Sequence, residues 1–112
     1  MPVKNGNCVF CEISAGKTDT DMVFDGNGIV AFTDIHPSAP VHILIVPKRH
    51  IVSVKDLEDG DRELVGQMTL VARDIARQKS LQGYKLVFNV GREGGQIIDH
   101  LHLHLLGGAG IK

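Results

Sequence analysis

At 112 residues the chain is close to the commonest size of a single domain and long enough to bury a core without staples. Its 43% hydrophobic and 22% charged residues, with a formal charge of -1, are those of an ordinary soluble protein and provide no basic field for a phosphate backbone. DNA or RNA is therefore not an expected partner. No apolar run approaches the roughly 18 residues of a membrane span, and Met1–Asn7 lacks the apolar region of a signal peptide. The expected location is the cytoplasm, where Cys8 and Cys11 read as reduced thiols or metal ligands rather than a disulfide.

In chain order, Cys8 to Ala15 is a short helix candidate with Val9, Phe10 and Ile13 as its apolar contacts, and Gly16 is placed to end it. Met22 to Asp25 and Gly28 to Thr33 read as strands joined by the turn-forming Asp25-Gly26-Asn27-Gly28. Two prolines and a serine make His36 to Pro40 a loop. Val41 to Val46, β-branched and bounded by prolines, suits a central strand. From Asp61 to Lys79, Leu64, Met68, Val71 and Ile75 recur at helical spacing and predict the one long helix. Tyr84 to Val90 reads as a strand, Gly91 to Gly95 as a flexible loop, and Ile98 to Leu106 as the last strand. With no repeat or linker, the expectation is one domain over 1–112, with its core in 7–108. Its class is α+β: about five strands, mainly antiparallel, with one long and one short helix.

The last strand carries the chemistry. Successive side chains of a strand point to opposite faces, so His100, His102 and His104 line one face while Leu101, Leu103 and Leu105 line the other. Burial of the leucines fixes the register, because a slip by one residue would bury the imidazoles instead. Same-face neighbours are spaced roughly 6.5–7 Å apart along such a strand, close enough for several to serve one small substrate. Alternating polar residues are most often a solvated face, and three histidines can also gather an adventitious metal. Strict alternation beside a Gly-rich loop favours function, since imidazole changes charge near neutral pH and crowding several together has a cost.

The string His100-Leu101-His102-Leu103-His104-Leu105-Leu106 resembles the defining motif of the histidine triad nucleotide-binding proteins. Ala31-Phe32-Thr33-Asp34-Ile35, Ala39-Pro40-Val41-His42, Val46-Pro47-Lys48-Arg49-His50 and Gly94-Gly95-Gln96 fall in the same order as in that family, so the resemblance spans about Cys8 to Gly108. Gly107-Gly108 points to the Hint branch. The resemblance implies hydrolysis of purine nucleoside 5'-phosphoramidates or adenylates. His102 would attack the α-phosphorus to form a nucleotidyl-histidine, which divides one hard displacement into two easier ones. It implies that His104 contacts the phosphate oxygens or the leaving atom and that Asn89 hydrogen-bonds near the phosphate. The backbone N–H groups of Gly94-Gly95-Gln96 would stabilise developing charge. Asp34 would accept from the ribose hydroxyls, and Phe10, Ile13, Phe32 and Ile35 would wall the purine; the competing readings are a loop cap for Asp34 and plain core for the four apolar residues.

Cys8-Val9-Phe10-Cys11 is a C-x-x-C pair, a weak signal alone. In many bacterial members of the resembled family that carry this pair, zinc is bound with the histidine after the Pro-Lys-Arg stretch and the first triad histidine, which implies His50 and His100 here. The alternative is two ordinary reduced thiols on a short helix. Zinc would make His100 structural, leaving His102 and His104 for chemistry. The resemblance also implies a homodimer, to which the long helix could contribute unless its stripe is spent on its own core. Ile97 stands where serine is common, so the hydrogen bond that serine gives to the phosphoramidate region is lost. His36 also replaces a common serine and reads as a phosphate contact or a solvated loop residue. His42 reads as support for the fold or dimer, and the end at Lys112 omits a Trp-Pro-Pro-Gly-like tail. Two other readings stand beside the phosphoramidase: a dinucleoside-polyphosphate hydrolase or nucleotidyl transferase, and a nucleotide-binding regulatory module. His104 argues against the uridylyltransferase-like branch, which carries glutamine there.

Overall fold

The computed structural model describes residues 8–17 and 20–109. The readings made at Met1–Asn7 and at Lys112 lie outside the described residues. Five strands form one antiparallel sheet: β1 (Met22–Asp25), β2 (Ile29–Thr33), β3 (Val41–Pro47), β4 (Tyr84–Val87) and β5 (Leu103–Gly107), in the order β1-β2-β3-β5-β4. A short helix, α1 (Val9–Ser14), precedes the sheet and a long one, α2 (Arg62–Gln78), joins its two halves. This is the α+β arrangement expected, with every paired strand antiparallel.

The strand parity sorts the interior into two layers. On one face Ile29, Ala31, Ile43, Ile45, Leu103 and Leu105 meet α2 through Met68, Ala72, Ile75 and Ala76. On the other, Val30, Phe32, Leu44 and Val46 meet Phe10 and Ile13 of α1. The stripe of α2 is thus used on the chain's own sheet, with Leu64 and Val71 packed at its margin. Leu105 is wholly buried, and truncating such a leucine to alanine costs about 2–5 kcal/mol.

Two boundaries differ from the sequence reading by more than one residue. Expected to reach Val90, β4 stops at Val87, ahead of the Asn89 turn into the cleft described below. Expected to begin at Ile98, β5 begins at Leu103 because the chain before it is held by other partners. Leu101 N donates to Ile51 O at 2.6 Å, and the His100 ring reaches Pro47 O. His100 and His102 therefore lie just ahead of the strand, yet the leucines still face α2 and the histidines still face α1. The imidazoles come closer than the backbone repeat, with His102 and His104 ring centroids 4.8 Å apart.

Candidate active site

Between α1, β2, β3 and the loop after β4 lies a cleft of about 410 Å³, within the range of small-ligand sites. Phe10, Ile13, Phe32 and Ile35 form apolar wall, Asp34, Asn89, His102 and His104 bring polar groups to it, and Gly95 borders it. Phe10, Ile13 and Phe32 are also members of the buried cluster, so the two readings offered for them coincide. Phe10 packs edge-on to Phe32 at 5.4 Å and to the His102 ring at 5.1 Å, which seals the floor. Ile35, in contrast, is exposed at the rim.

The hydrogen bonds fix which nitrogen of each imidazole carries the proton. His102 Nδ1 lies 2.6 Å from His100 O, and a carbonyl only accepts, so Nδ1 donates and the Nε2 lone pair is free. Burial pushes the pKa of His102 down, keeping the ring neutral. For His104 the order is set from the other end. Ser38 N donates to His42 Nδ1 at 2.9 Å, so the proton of His42 is on Nε2, which donates to His104 Nδ1 at 2.9 Å. The His104 proton is therefore on Nε2. Burial first, then the neighbouring His102 and His42, lower the pKa of His104 to about 4.

Asn89 Nδ2 lies 3.5 Å from His104 Nε2. A half-turn of the carboxamide would bring its oxygen to that donor and its NH2 toward the cleft. Asp34 accepts from His36 N through Oδ1 at 2.8 Å, the loop-cap alternative, while its Oδ2 lies 3.4 Å from His42 Nε2. His36 itself is exposed on the rim. His42, 5% exposed and on the cleft, is a site residue that the sequence reading gave only to fold or dimer support. Parity places His42, Leu44 and Val46 on one face, but the pairing of Leu44 with His104 that brings this face to the histidine row is not written in either strand.

The Gly-rich loop is a brace rather than a donor cradle. Gly94 N and Gln96 N donate to Gly91 O, and Gly95 N donates to Arg92 O, so the three N–H groups expected to face a phosphate are spent within the loop. Positive φ at Gly91 (69°) and Gly95 (90°) makes the tight turn possible. Gln96 is buried, not lining: its amide donates to Val52 O and Ile98 O and accepts from Gly91 N. Arg92 closes the outside with two bonds to the Asp99 carboxylate. The loop read as flexible is thereby tied on three sides.

His100 does not line the cleft; it is fully buried behind it. Its Nε2 donates to Pro47 O at 2.8 Å, which leaves the Nδ1 lone pair facing Cys8 Sγ at 3.3 Å and Cys11 Sγ at 3.4 Å. His50 Nδ1 lies 3.2 Å from Cys11 Sγ. Cys8 caps α1, its sulfur accepting from Cys11 N, so the helix start presents both sulfurs to one point. The four ligand atoms lie within 4.8 Å of one another. Burial, and then Cys8, push the Cys11 thiol up to about 12, a cost that a dication between two sulfurs and two imidazole nitrogens reverses. This donor set fits tetrahedral zinc.

Residues 7–110 match the family model described as scavenger mRNA decapping enzyme C-term binding. Protein HitA of Neisseria gonorrhoeae is 38% identical over 90% of this chain and 95% of its own length. The HIT family hydrolase of Legionella pneumophila Philadelphia 1 superposes with a TM-score of 0.91 at 45% identity, covering 95% of this chain and 96% of that one. A histidine triad protein from Clostridium difficile gives 0.93 at 35% identity over 98% of this chain and 97% of its own. A histidine triad family protein of Mycobacterium smegmatis described as Zn-bound gives 0.84 at 29% identity, covering 97% of this chain and 81% of its own.

Proposed function

The chain belongs to the histidine triad family, and from that premise we propose that it hydrolyses purine nucleoside 5'-phosphoramidates or adenylates through a nucleotidyl-histidine on His102. The observation that carries this is the His102 tautomer: Nδ1–H held by His100 O, with Nε2 free on the cleft. Nε2 attacks the α-phosphorus and the bond from phosphorus to the leaving atom breaks, a leaving amine taking a proton from solvent that the water of the second step restores. The positive charge that forms on the ring is held by the carbonyl already bonded to Nδ1. Water then adds to phosphorus and breaks the phosphorus–Nε2 bond, so one water is consumed and His102 returns neutral. His104 Nε2–H and the Asn89 amide bond the phosphate oxygens or the leaving atom, Asp34 holds the ribose, and the apolar wall takes the base.

Zinc on Cys8, Cys11, His50 and His100 belongs to the same proposal, supported by the clustered donor set and by the zinc-bound relative. It would supply cross-linking and would fix the His100 backbone that holds the nucleophile. So do homodimeric assembly and a cytoplasmic location, supported by family resemblance and composition.

The test is a side-by-side assay of an AMP-morpholidate, an aminoacyl-adenylate and a dinucleoside polyphosphate, with acid-quenched samples weighed by mass spectrometry. A nucleotidyl adduct on His102 with the first two substrates is expected. Binding without turnover would return the regulatory-module reading, and preference for the third would return the polyphosphate reading.

A further inference from the structure

Beside α1, and sharing no lining residue with the cleft, lies another hollow of about 410 Å³. It is lined by Cys11, Ser14 and Ala15 along α1 and its end, and by Lys48, Arg49 and His50 from the chain after β3. Two buried side-chain polar atoms among the described residues have no hydrogen-bond partner, Ser14 Oγ and His50 Nε2. Both belong to residues of this hollow. A buried polar atom without a partner is costly, and two at one place mark a group supplied from outside the chain.

The ring of His50 shows that this group is an acceptor. Its Nδ1 is turned to Cys11 Sγ at 3.2 Å, within the cluster of sulfurs and imidazoles. As a ligand Nδ1 offers its lone pair, which puts the ring proton on Nε2. A ligating histidine almost always gives its other N–H to a fixed acceptor, which orients the ring and makes the ligating nitrogen more basic. His100 does so, donating Nε2–H to Pro47 O at 2.8 Å. His50 has no such acceptor among the described residues, and the Ser14 hydroxyl beside the same hollow can turn to donate as well.

Charge decides the sign of the ligand. Among the described residues no carboxylate lines the hollow, whereas Lys48 and Arg49 both do. Their ion-pair partners, Asp25 at 3.1 Å from Lys48 and Asp61 on Arg49, are not among the lining residues. Such surface pairs are weak, and an ammonium with three N–H groups or a guanidinium with five is not exhausted by one carboxylate oxygen. A water could serve Ser14 and His50, but it would make no use of the two cations. A tetrahedral oxyanion uses all four side chains.

We propose that Ser14, Lys48, Arg49 and His50 form a binding site for a phosphate group, free or as a monoester, separate from the nucleotide cleft. The oxyanion accepts from His50 Nε2–H and from the Ser14 hydroxyl and meets the charges of Lys48 and Arg49. This site goes beyond the hydrolase reading and shares with the zinc reading only the orientation of His50. Because one imidazole bonds the anion and faces the sulfurs, phosphate and zinc favour each other's binding by the same factor.

The experiment titrates the full ¹⁵N-labelled chain with inorganic phosphate, with glycerol 3-phosphate and with chloride at matched ionic strength. NMR follows the His50 ring nitrogens and the Ser14 amide. Saturable shifts at both residues are expected with one or both phosphates and not with chloride, and the tighter of the two identifies the occupant as free ion or ester. Lys48→Met with Arg49→Met should raise the half-saturating concentration at least about tenfold, and Ser14→Ala about fivefold. In chelator competition, saturating phosphate should tighten zinc binding about tenfold in wild type and less than about twofold in the double variant. Shifts that grow without saturating, that chloride reproduces or that survive the double variant overturn the proposal and leave a hollow filled by water. Zinc affinity indifferent to phosphate overturns the contact with His50. A chain that takes up no zinc overturns the zinc reading instead, and the His50 and Ser14 shifts still decide this one.

Discussion

His100 and His102 lie two residues apart on one face of the sheet, yet the backbone sets them to opposite ends of the imidazole ring. His100 gives its Nε2 proton to Pro47 O and turns Nδ1 to two sulfurs; His102 gives its Nδ1 proton to His100 O and turns Nε2 to a cleft. One is wholly buried among potential ligands, and the other borders space for a substrate. The same side chain is thus assigned to two chemistries by which nitrogen a carbonyl occupies. The two clusters are also joined, since the residue whose ring faces the sulfurs supplies the carbonyl that orients the nucleophile.

The largest effect should come from separating the two rings by mutation. His102→Ala is expected to lower kcat/KM for an adenosine 5'-phosphoramidate at least about a thousandfold, as loss of a covalent nucleophile does. Its melting temperature should fall only a few degrees, because the ring is partnered by one carbonyl and packed at the edge of α1. His100→Ala should do the reverse in kind, with stability lost first. Turnover of His102→Ala within tenfold of wild type would show that the contrast between the two rings is not one of chemistry.

Metal removal tests the other side of the comparison. Elemental analysis of protein purified without metal-affinity steps should find about one zinc per chain. Exhaustive chelation should then lower the melting temperature by about 10 °C or more, given that each kcal/mol is about 4–8 °C in a domain near this size. Cys8→Ser with Cys11→Ser should reproduce that drop and be insensitive to chelator. A stoichiometry near zero with an unchanged transition would make the cluster a set of packed thiols and imidazoles.

How much of this was legible beforehand divides along physical lines. Periodicity carried α2, whose stripe meets the sheet through Met68 and Ile75, and strand alternation carried the sorting of histidines from leucines. Both depend on local repeats that a sequence displays directly. What depended on register across strands was not visible. His42 joins the site only because β3 pairs with β5 so that Leu44 stands opposite His104. The Gly91–Gln96 loop looked like a phosphate cradle by composition, but where its N–H groups point is decided by turn closure on Gly91 and Arg92. The late start of the last strand likewise follows from partners at Pro47 and Ile51, about 50 residues away in sequence, that no window around His100 contains.

His42 offers a smaller effect that sharpens the contrast between a ring that reacts and a ring that positions. It touches no substrate in the scheme above; it sets the His104 proton on Nε2 by donating to Nδ1. His42→Leu removes that donor and is expected to lower kcat by about 10- to 100-fold, in the range of a lost general acid–base partner, with little change in KM. His42→Gln, whose amide nitrogen can still donate to His104, should recover at least half of that loss on a logarithmic scale. Equal losses in the two variants would make the role one of packing alone.

The smallest effect is in the pH profile. An imidazole of ordinary pKa, about 6.5, would give kcat/KM an acid limb near that value, because attack requires the unprotonated ring. Burial pushes His102 and His42 below the ordinary value and His104 to about 4. Each ring therefore stays neutral as pH falls below 6.5, and the acid limb should lie below that value. Stability has the opposite exposure to acid. Between about 6.5 and 4 the unfolded chain binds protons at His104 that the folded chain refuses, so the folded state loses stability as pH falls through that window. Phe10→Ala, which opens the floor beside His102 to water, should weaken the desolvation and move the limb up by as much as about one pH unit. A limb already at 6.5 in wild type, or one that does not move in Phe10→Ala, would mean that burial does not tune the nucleophile, and that only the carbonyl at Nδ1 distinguishes it from an ordinary imidazole.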